Sequence, residues 1–120
     1  MTREKLLGAF GEAAAAEYLR KKHYRILAMN YRCRQGELDI IARQRETVVF
    51  VEVKLRREGG FASAAEAVTP EKQRKLRLAA EAWLAENELE DIPCRFDVIE
   101  IYLERDGSRV KQINHLEDAF

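Results

Sequence analysis

The chain switches between two hydrophobic periods, and each switch marks an element. Residues 3–22 are rich in Ala, Leu, Glu and Lys and contain no proline, which predicts a first helix. Leu6, Phe10, Ala13, Ala14 and Tyr18 recur near helical spacing and form its expected apolar stripe. Glu12 falls on another side, beside Gly8, Ala15 and Leu19, small neighbours that let a helix approach another element closely and leave Glu12 partly enclosed. YRILAMNY at 24–31 reads as a short strand, Gln35-Gly36 as a break, and GELDIIA at 36–42 as a second strand. After a polar turn from Arg43 to Thr47 comes VVFVEVKL at 48–55, the strongest β signal in the chain. Its apolar run occupies both faces and predicts an interior strand.

The stretch from 57 to 67, REGGFASAAEA, reads as a mobile loop. Thr69-Pro70-Glu71 then opens a second helix with a capping hydroxyl, a proline at the first helical position and an acid in the first turn. It should run to about Asn87 with Leu76, Ala79, Ala80 and Trp83 as its buried stripe, Trp83 serving packing. CRFDVIEIYLE reads as a fourth strand, and Asp106-Gly107 as the turn into a fifth, RVKQI. With no repeat or linker, the order αβββαββ predicts one domain over 1–120. Its class is α/β, a central mixed five-stranded sheet flanked by helices.

Composition narrows the setting. At 120 residues the chain can bury a core without a metal or disulfide as scaffold. Its longest aliphatic or aromatic run, Val48 to Val51, is far short of the roughly 20 residues that cross a bilayer. Glu4, Glu12 and Glu17 interrupt the amino-terminal segment, so it is expected to stay as a helix, in a cytoplasmic protein with no membrane association. Cys33 and Cys94 lack a CxxC pattern and are expected as free thiols, and His23 and His115 lack ligand spacing and are expected at the surface. A formal net charge of zero weighs against a nucleic-acid partner. The distribution weighs the other way: Arg20, Lys21, Lys22, Arg25, Arg32 and Arg34 form a run without an acid, and further bases cluster at Lys54, Arg56 and Arg57 and at Lys72, Arg74, Lys75 and Arg77.

The chemistry is concentrated on the second and third strands. A two- or four-residue loop centred on Arg45-Glu46 makes facing residues sum to 91. Val53, Val51 and Val49 then face Leu38, Ile40 and Ala42 on one wholly apolar face, while Phe50 meets Ile41, Glu52 meets Asp39 and Lys54 meets Glu37 on the other. Opposed carboxylates repel unless something neutralises them. A divalent cation does so, and hard oxygens suit Mg²⁺ or Mn²⁺. The bland alternative is a sheet-edge salt-bridge cluster joining Lys54 to Glu37 or Glu52.

Asp39 followed by Glu52-Val53-Lys54 resembles the PD-(D/E)xK signature of the restriction-endonuclease-like superfamily, with Leu38 where the signature's proline would stand. GEAAAAEYL, NYRCRQGELDII, FVEVKLR, AVTPEKQRKL, RFDV and INHLEDAF together resemble the YraN family of bacterial proteins (UPF0102), over nearly the whole chain. That family is regarded as similar in fold to Holliday-junction resolvases. The resemblance implies a restriction-endonuclease-like fold and a Mg²⁺- or Mn²⁺-dependent endonuclease cutting DNA phosphodiesters, with branched or recombining DNA as one substrate class and a homodimer as the resolvase-like assembly.

It also implies roles. Asp39 and Glu52 would be metal ligands with the Val53 carbonyl as a third, and Lys54 would orient or deprotonate the attacking water. Glu12 resembles the acid on the first helix of resolvase-like nucleases that completes or supports the metal site. Glu37 is either a ligand or the ion-pair partner of Lys54. By geometry, Lys72 continues the second helix's buried stripe at its positive end, which favours phosphate, and Gln73 is its neighbour. Arg32, Arg34, Arg56 and Arg57 flank the site end of the hairpin as candidate contacts to a nucleic-acid backbone. Asp97 reads as structural, the partner of a nearby arginine. The competing functional class is a non-catalytic nucleic-acid- or protein-binding module on a nuclease fold.

Overall fold

A computed structural model of the chain describes residues 2–57, 68–107 and 109–120, apart from the side chains of Arg3, Glu4 and Arg57. The expected loop at 57–67 therefore lies almost wholly outside the described residues. Thr2 caps α1 (Arg3–Lys21), its hydroxyl accepting from the Lys5 amide. Strands β1 (Arg25–Cys33), β2 (Gly36–Gln44) and β3 (Thr47–Arg57) follow as an antiparallel meander. Helix α2 (Pro70–Glu86) begins as its sequence predicts, with the Thr69 side chain accepting from Lys72 N–H. It carries the chain across to β4 (Cys94–Leu103), which pairs parallel to β3, and β5 (Val110–Leu116) returns antiparallel. The sheet order β1-β2-β3-β4-β5 puts β3 in the interior, between an antiparallel and a parallel neighbour.

Each helix covers one face. Leu76, Ala79, Ala80, Trp83 and Leu84 of α2 pack over Ile41, Val48, Phe50, Phe96 and Val98. On the other face Ala15, Ala16 and Leu19 of α1 meet Ile40, Ala42, Val49, Val51, Ile99 and Ile101. The expected stripe of α1 is therefore corrected. Leu6 is 56% exposed and Phe10 41%, Ala13 is exposed, and Ala14 and Tyr18 are half-buried. The helix turns its small-residue side to the sheet because that side permits the closest approach: a Cβ on Gly11 would stand 3.1 Å from Leu55 Cδ1. Glu12, on that same side, is carried inward and half-buried.

One local twist matters for the site. Met29 packs with the α1-side cluster and Tyr31 with the α2-side cluster, although residues two apart on a strand should share a face. Between them Asn30 adopts φ 54°, the left-handed region, and rotates the ribbon. Their partners turn with them: Ile40 opposite Met29 stays on the α1 side, and Leu38 opposite Tyr31 goes to the α2 side. The expected grouping of Leu38 with Ile40 and Ala42 is thus corrected.

His115 is corrected too. It lies mostly buried, with Nε2 2.7 Å from Asp97 Oδ2 and Nδ1 3.1 Å from the Tyr18 hydroxyl. Asp97 also receives Arg95, the arginine partner expected for it. His23 is exposed as expected, and both cysteines are free.

Candidate active site

The β2–β3 hairpin keeps the predicted register from Gln44↔Thr47 to Ile40↔Val51, where its paired rungs end. Beyond that point β3 continues beside β4, with Glu52, Val53 and Lys54 opposite Val98, Ile99 and Glu100. Asp39 and Glu52 therefore do not form the expected rung. Instead Asp39 Oδ2 accepts the Val53 N–H at 2.8 Å, so a carboxylate takes the place of β2's main chain in a fork between the strands. The Asn30 twist explains this, because Asp39 lies between the two residues, Leu38 and Ile40, that are turned to opposite faces. A strand residue's N–H and C=O point to the same edge, so the Val53 carbonyl opens toward the fork as well.

Glu52 stands beside this carboxylate on the α2 side, its side chain 11% exposed. Two lysines hold it: Lys54 Nζ lies 3.4 Å and Lys72 Nζ 3.2 Å from the same oxygen, Oε1. Lys72 reaches in from the first turn of α2. A cavity of about 250 Å³ opens here, with Asp39, Glu52, Glu37 and Lys72 among its lining residues. Glu12 approaches from the opposite helix.

The electrostatics follow from this crowding. Burial, then Glu52, then Glu12 and Glu37 push the Asp39 carboxyl up to about 7, against the opposing Val53 hydrogen bond. Burial likewise raises Glu12, with Asn30 resisting and Glu37 adding to the rise. Lys54 is held below its ordinary value by burial and then by Lys72. Burial also works against Lys72, but its contacts with Lys54 and Glu52 outweigh this and raise it. Two ammonium groups share one carboxylate, so Lys54 and Lys72 titrate as a pair, Lys54 held low and Lys72 held high.

Other expected residues divide. Glu37 does not face Lys54; it pairs with Arg32 at 3.3 Å, because the hairpin has already opened at its position. Gln73 turns away, its amide donating to the Val68 carbonyl at the start of α2. Arg34 is exposed in the β1–β2 turn. Arg56 lies against the buried Glu100 carboxylate at 3.6 Å. The Arg57 side chain lies outside the described residues. Two contributors escape a reading of the sequence: Asn30, whose only signal is an amide inside a strand pattern, and Glu100, an acid inside an apolar run.

The donor set is two hard carboxylates and a strand carbonyl, with a lysine two residues along. This fits an oxygen-loving divalent cation that keeps several waters. Among the described residues no three His, Cys, Asp or Glu side chains already form a closed metal cage; Glu12 stands near but is not joined to the other two in such a group. A roomier concavity of about 380 Å³ lies at the acidic end of α2, lined by Glu88, Leu89, Glu90, Asp91 and others. It has no lysine and neither Asp39 nor Glu52, so the smaller cavity is the candidate site. No helix among the described residues is long and apolar enough to cross a membrane.

A model of the uncharacterised protein family UPF0102 matches residues 11–101. The chain is 50% identical over 116 residues to a UPF0102 protein of Geotalea uraniireducens, covering 97% of this chain and 90% of that protein. It is 49% identical to the UPF0102 protein of Geotalea daltonii over the same shares of each chain. With the UPF0102 protein of Pelotomaculum thermopropionicum it shares 47% identity, over 97% of this chain and 96% of that one.

Proposed function

The chain belongs to the uncharacterised protein family UPF0102, and from the fork its strands form we propose that it is a metal-dependent endonuclease acting on DNA phosphodiesters. The observation that carries this is the Asp39 carboxylate, anchored by Val53 N–H beside Glu52, with Lys54 on the same strand 3.4 Å from Glu52. Asp39, Glu52 and the Val53 carbonyl would hold Mg²⁺ or Mn²⁺, which when bound lowers the pKa of a coordinated water and neutralises phosphate charge. Lys54, held below its ordinary value by burial and by Lys72, would orient the attacking water or help deprotonate it. In its protonated form it stabilises the extra negative charge of the pentacovalent phosphorus. Lys72 and Arg56 provide further cations on the α2 side, and Arg32 and Arg34 border the β1–β2 turn, where a nucleic-acid backbone would run. Branched DNA is the substrate class we favour, by resemblance to resolvases. Paired cuts across a junction need two sites related by symmetry, so the proposal includes a homodimer.

The competing function is a non-catalytic binding module. One observation favours it: Glu52 is engaged by lysines and, among the described residues, the acids form no closed cage. Cleavage of linear, flapped and four-way DNA by the purified protein, with Mg²⁺ and with Mn²⁺, decides between them. Metal-dependent products that disappear in Lys54→Ala and in Asp39→Ala are expected. Equal cleavage by wild type and by the double variant Asp39→Ala/Glu52→Ala would falsify the nuclease assignment.

A further inference from the structure

Of the two core acids, Glu52 is the one with ion-pair partners among the described residues, and both of its lysines converge on a single oxygen, Oε1. Their origins differ. Lys54 belongs to β3 and cannot move far from Glu52, two residues away on the same strand face. Lys72 comes from α2; its backbone is fixed by the Thr69 cap, but its side chain is 41% exposed, so its ammonium can leave. A carboxylate with two ammonium groups on one oxygen is a weaker ligand than a free one, since a cation must displace at least one of them and bear the repulsion of the other. Asp39 has no ammonium within ion-pair distance among the described residues and is anchored instead by the Val53 N–H. The two metal ligands are thus unequal, one ready and one covered.

The geometry points to Lys72 as a gate on the metal site: it covers Glu52 until a nucleic-acid phosphate draws its ammonium away, so that metal and nucleic acid bind cooperatively. This rests on the nuclease assignment and adds an order to it. Lys72 faces the cavity of about 250 Å³ that Asp39 and Glu52 also line, so a phosphate entering there meets Lys72 and the acids together. By linkage, whatever factor nucleic acid adds to metal affinity, metal adds to nucleic-acid affinity. In the cell such a gate would keep a small nuclease from holding a catalytic metal before substrate arrives.

The test is calorimetric titration of Mn²⁺ into the full chain without nucleic acid, comparing wild type with Lys72→Met, Lys72→Arg and Lys75→Met, each checked for an unchanged melting profile. Lys75 lines the same cavity but pairs with Glu71, so it controls for general loss of positive charge. Removing a half-exposed ion pair and its repulsion should tighten Mn²⁺ binding about five- to tenfold in Lys72→Met. Lys72→Arg should stay near wild type, and Lys75→Met should change affinity by less than about twofold. A merely structural role for Lys72 would weaken binding or leave it alone. Equal Mn²⁺ affinity in wild type and Lys72→Met overturns the gate and leaves the metal site standing. Absence of Mn²⁺ binding in every variant, Lys72→Met included, overturns both.

Discussion

Two aspartates sit within the same sheet and have opposite fates. Asp97 on β4 is 0% exposed, yet its carboxyl is held below the usual carboxylate range. Burial alone would raise it, but His115, Arg95 and the Asp118 N–H together outweigh that cost. Arg95 donates twice, at 2.9 and 3.1 Å. The carboxylate only accepts, so His115 Nε2 must carry the proton it shares at 2.7 Å. Asp39 on β2 is less deeply buried but has one N–H and a ring of acids, and its carboxyl is pushed up to about 7. A saturated aspartate ties elements together; an aspartate left electrostatically unsatisfied is ready for a cation. That difference separates scaffold from candidate site without any appeal to position in the chain.

The sharpest way to break the contrast is to remove the saturated member. Asp97→Ala leaves Arg95 and the His115 Nε2 proton without their buried partner and frees the Asp118 amide. Truncating one partner of a buried, hydrogen-bonded ion pair costs about 3–5 kcal/mol, read as a fall in unfolding free energy in urea. A loss below about 1 kcal/mol would mean the network is ornamental. Next in size is the unsatisfied side. Lys54→Ala should reduce cleavage at least about a hundredfold while stability changes by no more than about 1 kcal/mol, because Lys72 still neutralises Glu52. Loss of folding in step with activity would place Lys54 with the scaffold.

Asp39→Asn tests the same contrast through pH. The Asp39 value is raised on folding, from an unperturbed 3.8 to about 7. The native state therefore holds the extra proton, and this group's stabilising contribution is complete below about pH 4 and is lost as pH rises through 7. The amide that replaces the carboxyl cannot ionise and can still accept from Val53 N–H. The variant should match wild type near pH 4 and exceed it at pH 8 by at least about 1 kcal/mol, the full rise corresponding to about 4 kcal/mol, measured by thermal melts in chelator. Adding Mn²⁺ at pH 8 should raise the melting temperature of wild type and not of the variant. A variant less stable than wild type at pH 8 would show that Asp39 is paired after all.

Much of this is legible in the chain, and the boundary has a physical cause. Local chemistry carries furthest: Thr69-Pro70-Glu71 starts α2, and the two-residue loop at Arg45-Glu46 sets the register that sums to 91. Alternation then brings Asp39 and Glu52 to the same end of the hairpin. The fork itself is not legible, because it depends on Asn30 entering the left-handed region on a different strand. The face of α1 is misread for a related reason. Periodicity favours the large residues Leu6 and Phe10, whereas the sheet accepts the side that can come closest, Gly11, Ala15 and Ala16. His115 reads as a surface residue because its partners, Asp97 and Tyr18, are 18 and 97 residues away in sequence, beyond the reach of any local pattern.

The finest distinction concerns how the acids around Asp39 share its destabilisation. Glu52 raises the Asp39 carboxyl most among the acids, Glu12 less and Glu37 least. Burial gives the reason for the last place: Glu37 is more exposed than Glu52, 42% against 11% by side chain, and Arg32 already offsets its charge, so water and salt screen it from Asp39. Replacing each in turn by glutamine and following the Asp39 side-chain carboxyl by NMR titration should lower its midpoint in that order, with Glu52→Gln largest and Glu37→Gln barely resolvable. The Glu37→Gln shift should also shrink further in high salt, while the Glu52→Gln shift persists, because the enclosed pair is shielded less. The reverse order would mean that the charge felt by Asp39 comes from the open side of the cavity, and Asp39 would then belong to a solvated salt-bridge edge.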